Sequence, residues 1–501
     1  MNALSIFLSA LPLLVFTVIL IFWKTSLLRA SVIALALCTV LAIFYWSIFP
    51  SSLAISYGKG FFIAFDIFII ILGAIFFLKL LEELNVIKNI SYYLEHFSGD
   101  YRLQIILLAW LFEAFIEGTA GFGTPVAIVA PLLVGLGLPP IRALVVALLG
   151  NSAAVVFGAV GTPIKVGFAG LDIASVSIIS SLINCVGFII PIFMLWIITT
   201  GRINQKREFL GGLPFAIWAG IAFVVPSVIV ALWSQEFPTV FGSVIGTILV
   251  LITTKLGFFV PKDQLSLLAD TEEKSVCSMS APKAFLPYGI LIVLLIAGKV
   301  FLGTMGIPIS LGFSHIFKLF NPGFAFIIAG LLVASIWRSK KEMVMSLASR
   351  AFTGALNPFF IIVSMSILVQ IMIYSGENYS DLPAAITLVA KIFETSFLPF
   401  FTPFIGAFGS FITGSATISN IMFGSFFSAA ATTLGNDVTV ILSLAVVGAS
   451  AGNMIALADM LAGQAVLGLK NQERQILKGV FIPCLLLLII VGIIGLFLNY
   501  F

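Results

Sequence analysis

Charge is scarce in this chain. Lys, Arg, Asp and Glu make up 9% of 501 residues, where a soluble domain carries about 25%. With 61% hydrophobic residues and a mean hydropathy of +1.21, that scarcity excludes the water-soluble classes. The chain reads as an all-α polytopic membrane protein. Histidine and cysteine are rarer still. His96 and His315 stand in short amphipathic or loop stretches, where ordinary interfacial roles are expected. Cys38, Cys185 and Cys484 lie in apolar spans and Cys277 in a polar loop; such scatter leads us to expect no disulfide and no metal site. No cofactor is implied. The first apolar run, 4–23, has no basic region before it, so a span is expected there rather than a cleavable signal peptide. The net charge of +4 reports topology, and nucleic-acid binding has no support. No arginine stands at membrane depth, so a carboxylate ligand would lack its usual clamp.

What is present is an apolar stretch, 103–138, broken by FIEGTAGFGTP, Phe115 to Pro125. Gly118, Gly121 and Gly123 each weaken a helix by about 1 kcal/mol relative to alanine. Pro125 removes a backbone donor, and Glu117 puts an ionisable group in the bilayer. Irregular backbone survives there only where protein buries it or a wet cavity solvates it. The stretch 398–435 is broken in the same way by FITGSATISN, Phe411 to Asn420. Set FIEGTA over FITGSA and five of six positions match in kind. Two interrupted segments in corresponding halves point to a secondary transporter's binding site.

Twelve further runs are long enough to span: 4–23, 29–49, 61–80, 143–169, 175–199, 213–233, 238–256, 287–303, 324–338, 351–374, 438–462 and 479–500. Of the 25 Lys and Arg, all but Lys59, Lys165, Lys299, Lys318 and Lys391 fall on one side if each broken segment is a hairpin entering and leaving the same face. Basic residues mark the cytoplasmic side, so both termini are expected outside, in a bacterial plasma (inner) membrane. The span 61–80 then runs inward and 351–374 outward. Each is followed by an amphipathic stretch, 85–97 and 382–394, and then by a hairpin. The expected architecture is two inverted-topology repeats with re-entrant hairpins, 1–205 and 285–501. The segment 206–284, two connecting spans and a cytoplasmic linker, lies between them. The polar loop 262–283 is expected to be a linker without chemistry, and the spans 213–256 are expected to join the scaffold.

Candidate site residues follow from this frame. Hairpin tips offer unpaired N–H groups and helix-dipole charge to an anion. The glycines Gly118, Gly121, Gly123 and Gly414 allow close backbone approach. Thr119, Thr124, Ser415, Thr417, Ser419 and Asn420 supply neutral donors. Asn151 and Asn453 each follow a hairpin, inside spans 143–169 and 438–462, and are expected to line the central site; helix–helix hydrogen bonding is the competing role. Gly161-Thr162-Pro163 indicates that the first of these spans is interrupted. Lys165 can add charge or snorkel to the surface. Intramembrane acids are functional candidates by default. Glu113 and Glu117 are i, i+4 on one helical face, and two carboxylates so close do not both ionise readily. Glu117 is the main proton candidate, Asp459 a further one, and Glu113 a relay or a bystander. Asp66, near the end of its span, reads as structural or interfacial.

These residues resemble the L-lactate permease family of bacterial transporters. The resemblance rests on FIEGTAGFGTPVAI (115–128), VGLGLPP (134–140), VVFGAVGTPI (155–164), FITGSATISN (411–420) and GNMIALADMLAGQAVLGLK (452–470). It implies import of lactate, glycolate and related 2-hydroxymonocarboxylates by proton symport. By residue it matches Glu117, Gly118, Gly121, Gly123 and Pro125 in the first motif. In the second it matches Thr413, Gly414, Ser415, Thr417, Ser419 and Asn420. The family commonly places an aspartate where this chain has Ala416, and uncharged residues where it has Asp459, as if the charge had moved to the adjacent helix.

The leading expectation is a proton-coupled importer of a small monocarboxylate working by alternating access. A sodium-coupled organic-anion carrier stays open, since hydroxyls and carbonyls also coordinate sodium. A membrane-embedded enzyme is disfavoured, because no His or Cys cluster and no nucleophile–base pair is present. Expected partners are the small carboxylate, the coupling proton (or Na+) and the lipid bilayer. A homodimer is an open arrangement, as is the choice between elevator and rocking motion.

Overall fold

The computed structural model describes residues 3–22, 26–95, 97–121, 124–173, 175–265, 279–303, 305–310, 312–391 and 397–500. His96, Gly123, Cys277 and most of the polar linker fall outside these, as does the side chain of Thr124. In chain order the helices are α1 (Ala3–Phe22), α2 (Leu27–Phe44), α3 (Pro50–Glu83), α4 (Val86–Glu95), α5 (Tyr101–Ile106), α6 (Glu113–Thr119), α7 (Thr124–Gly135), α8 (Pro140–Ala154), α9 (Gly158–Lys165), α10 (Val176–Ile183) and α11 (Ile190–Thr199). They continue with α12 (Gln205–Ala231), α13 (Pro238–Lys255), α14 (Ala281–Leu302), α15 (Pro322–Ile336), α16 (Lys341–Tyr374), α17 (Ala385–Ala390), α18 (Leu398–Thr413), α19 (Ala416–Leu434), α20 (Val438–Asn453), α21 (Leu457–Val466) and α22 (Glu473–Tyr500). A π-helical turn, Leu107–Phe112, joins α5 to α6. Among the described residues, ten helical segments are long and apolar enough to cross a membrane, three of them (Pro140–Lys165, Val176–Thr199 and Val438–Val466) running through consecutive helices of this series. This is an all-α polytopic membrane protein. Two of the twelve expected spans, in α1 and α15, are shorter apolar helices, Leu4–Ile19 and Pro322–Ile336.

The chain divides into two compact units. The first takes Met1–Ile87, Met279–Thr395 and Ile421–Gly435. Its centre is a pair of 34-residue helices, α3 and α16, packed on each other, with α15 against α3 and α2 against α16. Small residues let the backbones meet, the usual solution where lipid supplies no hydrophobic drive between helices. A methyl carbon on Gly73 would stand 2.3 Å from the Gly323 carbonyl oxygen. One feature was not expected from the sequence. Gly306–Ser310 and Ser314–Lys318 form an antiparallel ribbon, β1 and β2, with Ile309 opposite His315. The run alternates too briefly to stand out from its apolar surroundings. His315 Nε2 lies 3.3 Å from Asp66 Oδ2, and Asn321 Nδ2 donates to the Asp66 carbonyl.

The second unit takes Lys88–Ser278, Ser396–Asn420 and Asn436–Phe501. Here α18 packs on α20, α12 on α13, and α13 on α6. The pair 213–256, expected in the scaffold, therefore packs directly behind the first broken segment. Gly118 is the reason: a side chain there would meet Thr239 Cγ2 and the Val240 nitrogen at 2.9 Å. At the base of α5, buried Arg102 pairs with Asp100 at 2.6 Å and donates to the Glu208 and Asp263 carbonyls. That cluster ties the start of the linker to α5 and α12.

Candidate functional site

Four interruptions give the second unit its interior. The first lies between α6 and α7, where Gly121 adopts φ +59. The second separates α18 from α19, where Gly414 adopts φ +69 and ends α18 in a left-handed turn. Ser419 Oγ donates to the Gly406 carbonyl at 2.8 Å, so the chain folds back across this turn. The third follows α8 and falls inside the segment labelled α9, whose first residues are not helical. Ala159, Val160 and Gly161 have φ of 41, 58 and 75. A β-branched residue at positive φ is a true outlier, and such strain persists only where surroundings over-determine it. The fourth separates α20 from α21, where Ala456 is extended.

These breaks surround one pocket of about 310 Å3, lined by Glu117, Val155, Gly158, Ala159, Thr162, Pro163, Gly414, Ser415, Ala416, Thr417 and Asn453. Its one ionisable lining residue is Glu117, whose Oε1 lies against Gly158; a methyl carbon there would stand 2.2 Å from it. Thr162 and Thr417 hydroxyls meet at 3.2 Å. Ser415 Oγ accepts from the Ile418 N–H in the first turn of α19, whose N-terminus presents positive dipole charge to the pocket. Asn453 Oδ1 accepts from Ser410, and its Nδ2 donates to Asp459 Oδ2 at 2.9 Å. Asp459 sits in the first turn of α21, a favourable place for an acid.

The structure thus brings Glu117, Gly414, Ser415, Thr417 and Asn453 together, with Asp459 one hydrogen bond behind. Other candidates sit elsewhere. Gly118 serves the contact with α13. Thr119 donates to the Phe115 and Ile116 carbonyls of its own helix. Gly121 shapes its turn against Ala159. Asn420 Nδ2 donates to the Pro163 carbonyl, bracing the α9 break. Asn151 is buried beside Glu117, within reach of its carboxylate, yet neither amide atom completes a hydrogen bond of good geometry. Glu113 is fully buried, with both carboxylate oxygens unpartnered among the described residues. Glu113, Glu117 and Asp459 are near enough to act on one another electrostatically. Lys165 is held by Glu236 at 3.0 Å, which neutralises it. The lining residues Val155, Gly158, Ala159 and Thr162 were not singled out from the sequence as ligands. The signal for them was Gly161-Thr162-Pro163, a helix-breaking run inside a span. Among the described residues no group of three or more His, Cys, Asp or Glu is arranged to hold a metal ion.

Interrupted membrane helices around a small polar pocket define a class, the polytopic membrane permeases, and this chain is one of them rather than an enzyme. It belongs to the L-lactate permease family, whose sequence profile matches residues 5–306 and 299–501. Among relatives, the putative L-lactate permease of Haemophilus influenzae is 29% identical over 86% of each chain. The L-lactate permease of Escherichia coli is 26% identical, covering 98% of this chain and 95% of that protein. The glycolate permease GlcA of Escherichia coli is 26% identical over 99% and 96%. Among solved structures, the YdaH transporter of Alcanivorax borkumensis aligns with a TM-score of 0.48 at 12% identity, over 89% of this chain and 87% of that one.

Proposed function

We propose that this chain is a secondary active transporter that imports a small monocarboxylate of the lactate or glycolate kind by proton symport and alternating access, in the plasma membrane. One observation carries the reading: four helix breaks converge on a single small pocket that holds a carboxylate, three hydroxyls and an amide, and no basic side chain. The relatives' names supply the substrate class. The substrate carboxylate is held by the N-terminal N–H groups of α19 and the hydroxyls of Thr162, Ser415 and Thr417. Asn453 contributes its amide. Glu117 carries the coupling proton. A protonated Glu117 does not repel the bound anion, and the proton offsets the anion's charge, so the loaded carrier bears the same charge as the empty one and can reorient; coupling then needs only that the two bind differently in the outward and inward states. Asp459, held by Asn453, senses the same anion from the adjacent helix.

In this reading 103–138 and 398–435 are re-entrant hairpins from opposite faces, the halves 1–205 and 285–501 are inverted repeats, and both termini lie outside. The support is correspondence of parts. Helix α3 and helix α16 have 34 residues each, and breaks follow α8 and α20 alike. The test is L-lactate uptake into proteoliposomes with an inward proton gradient. Accumulation should collapse when the gradient is dissipated. Accumulation that ignores protons and follows sodium supports the second reading, a sodium-coupled carrier. The buried Asn420 Oδ1, without a hydrogen-bond donor among the described residues, and the hydroxyl-rich pocket favour that second reading.

A further inference from the structure

Glu113 does not touch the pocket, and its surroundings are unusual. It is 0% exposed, and neither carboxylate oxygen has a hydrogen-bond partner among the described residues. Burying an isolated carboxylate as an anion is far more costly than burying a neutral, hydrogen-bonded group. Asn151, 1% exposed, also has both amide atoms unpartnered, as does Glu117 Oε2. These orphans share one place. Glu113 and Glu117 stand one turn apart on α6 and lean on the same turn of α8. A methyl carbon on Gly150 would lie 3.0 Å from Glu113 Oε2, and the next residue, Asn151, reaches Glu117. Glu117 has its other oxygen at Gly158, on the pocket wall. So one carboxylate lines the pocket, with the Asn151 amide beside it, and the second lies a turn deeper. The π-helical turn just before Glu113 is a feature frequently found at functional sites.

The groups that face Glu113 can be named. α6 packs against α7, α8, α9 and α13. α7 carries no charge; α8 carries Arg142 in its first turn, α13 Lys255 at its end, and α9 Lys165 at its end, paired with Glu236. The charged groups that act on Glu113 are Glu117 and Asp459, both acids. Among the described residues no basic residue pairs with Glu113.

We propose that Glu113 is a proton relay: it takes the coupling proton from Glu117 and passes it on, away from the pocket, to water, while Asn151 steadies the Glu117 carboxylate left behind. This rests on the proton-symport reading above. In the transfer the O–H bond of the Glu117 carboxyl breaks and an O–H bond forms on Glu113; the Glu113 O–H bond then breaks as its proton passes to water, which restores the carboxylate. Asn151 keeps both its hydrogens throughout. Glu113 is a positioning and relay group, with no contact to substrate.

The experiment compares two modes of the same full-length protein in proteoliposomes, with L-lactate as probe. Exchange of internal for external lactate at equal pH needs no proton release. Net uptake driven by a pH gradient does. Glu113→Gln should keep exchange within about two-fold of the wild type while net uptake falls about 100-fold, the scale of a lost proton-transfer group. Glu113→Asp should restore much of the net rate. Asn151→Ala should slow net uptake more than exchange, and it decides the matter if Glu113→Gln does not insert. Net uptake by Glu113→Gln at the wild-type rate overturns the relay. Equal loss of exchange and net uptake with lowered thermal stability also overturns it, since that is what a packing role predicts. If the wild type itself accumulates lactate without a proton gradient, the symport reading fails first and the relay with it.

Discussion

The two units use membrane helices in opposite ways. In the first, α3 and α16 run 34 residues each and meet backbone to backbone at Gly73 and Gly323. In the second, long helices such as α12 and α22 surround segments that are cut short: α6 has 7 residues and α21 has 10, and α9 is broken at Ala159–Gly161. Buried acids follow the same division. Among the described residues Asp100, Glu113, Glu117, Glu208, Glu236 and Asp459 are buried, and all belong to the second unit. An unbroken helix uses its backbone N–H groups internally and has none to offer a ligand. A broken helix exposes the N–H groups of a fresh N-terminus inside the protein. Under the proposed function, the comparison puts the anion at the breaks of the second unit, where such N–H groups are on offer.

The largest effect should come from the acid at a break. Glu117→Gln keeps the shape and removes the titrating group. Uptake driven by a pH gradient should fall by about 100-fold or more, with the melting temperature in detergent unchanged. Wild-type accumulation by this variant would dissolve the contrast, because a pocket acid would then matter no more than a surface one.

The glycines sharpen the same contrast. Gly73→Ala presses a methyl group on the Gly323 carbonyl, where backbone must move, and overpacking of that kind costs about 1–3 kcal/mol. The expected result is a lower melting temperature with transport per folded molecule unchanged. Gly158→Ala meets a movable partner, the Glu117 carboxylate, so folding should survive. Lactate affinity should drop about 10-fold, equivalent to about 1.4 kcal/mol, read by binding titration. If Gly158→Ala acts through stability and Gly73→Ala through affinity, the division of labour is wrong.

Much of this division could be read from the sequence, for a physical reason. Glycine and proline inside an apolar run cannot hide, so FIEGTAGFGTP and FITGSATISN marked two of the breaks and GTP at 161–163 a third. Acids at membrane depth are equally visible, and Glu117 and Asp459 were named on that ground. What the sequence could not reveal is direction. Thr119 and Thr417 look alike as neutral donors, but one hydroxyl is consumed by its own helix and the other faces Thr162. Asn151 and Asn453 look like a symmetric pair, but only Asn453 lines the pocket. Which face of a helix meets the cavity is decided by packing, here by α13 pressing on Gly118. The ribbon of β1 and β2 escaped notice because five-residue strands leave too short a pattern.

A neutral contact in the pocket should have a smaller effect than either glycine. Thr417→Val removes a hydroxyl that pairs with Thr162 at 3.2 Å and keeps the volume. One hydrogen bond contributes about 0.5–1.5 kcal/mol, so the Michaelis constant for lactate should rise a few-fold with the maximal rate little changed. A collapse of transport would mean that the hydroxyl does more than help hold the substrate.

The smallest effect is expected from Asp66, the acid on an unbroken helix. Its side chain is 35% exposed and faces His315, itself 16% exposed, at 3.3 Å. Pairs so open to solvent contribute about 0–1 kcal/mol. Asp66→Asn keeps the size, and the Asn321 amide still finds the residue's backbone carbonyl, so the anchor of α15 survives. Transport should stay within about two-fold of the wild type and respond to the pH gradient as before. This variant is the control that gives Glu117→Gln its meaning. Both remove one carboxylate from a helix of the same protein, one buried at a break and the other half-exposed on an unbroken helix. Loss of gradient-driven uptake in Asp66→Asn would carry the coupling chemistry into the first unit, and helix breaks would no longer be what separates a working acid from a structural one.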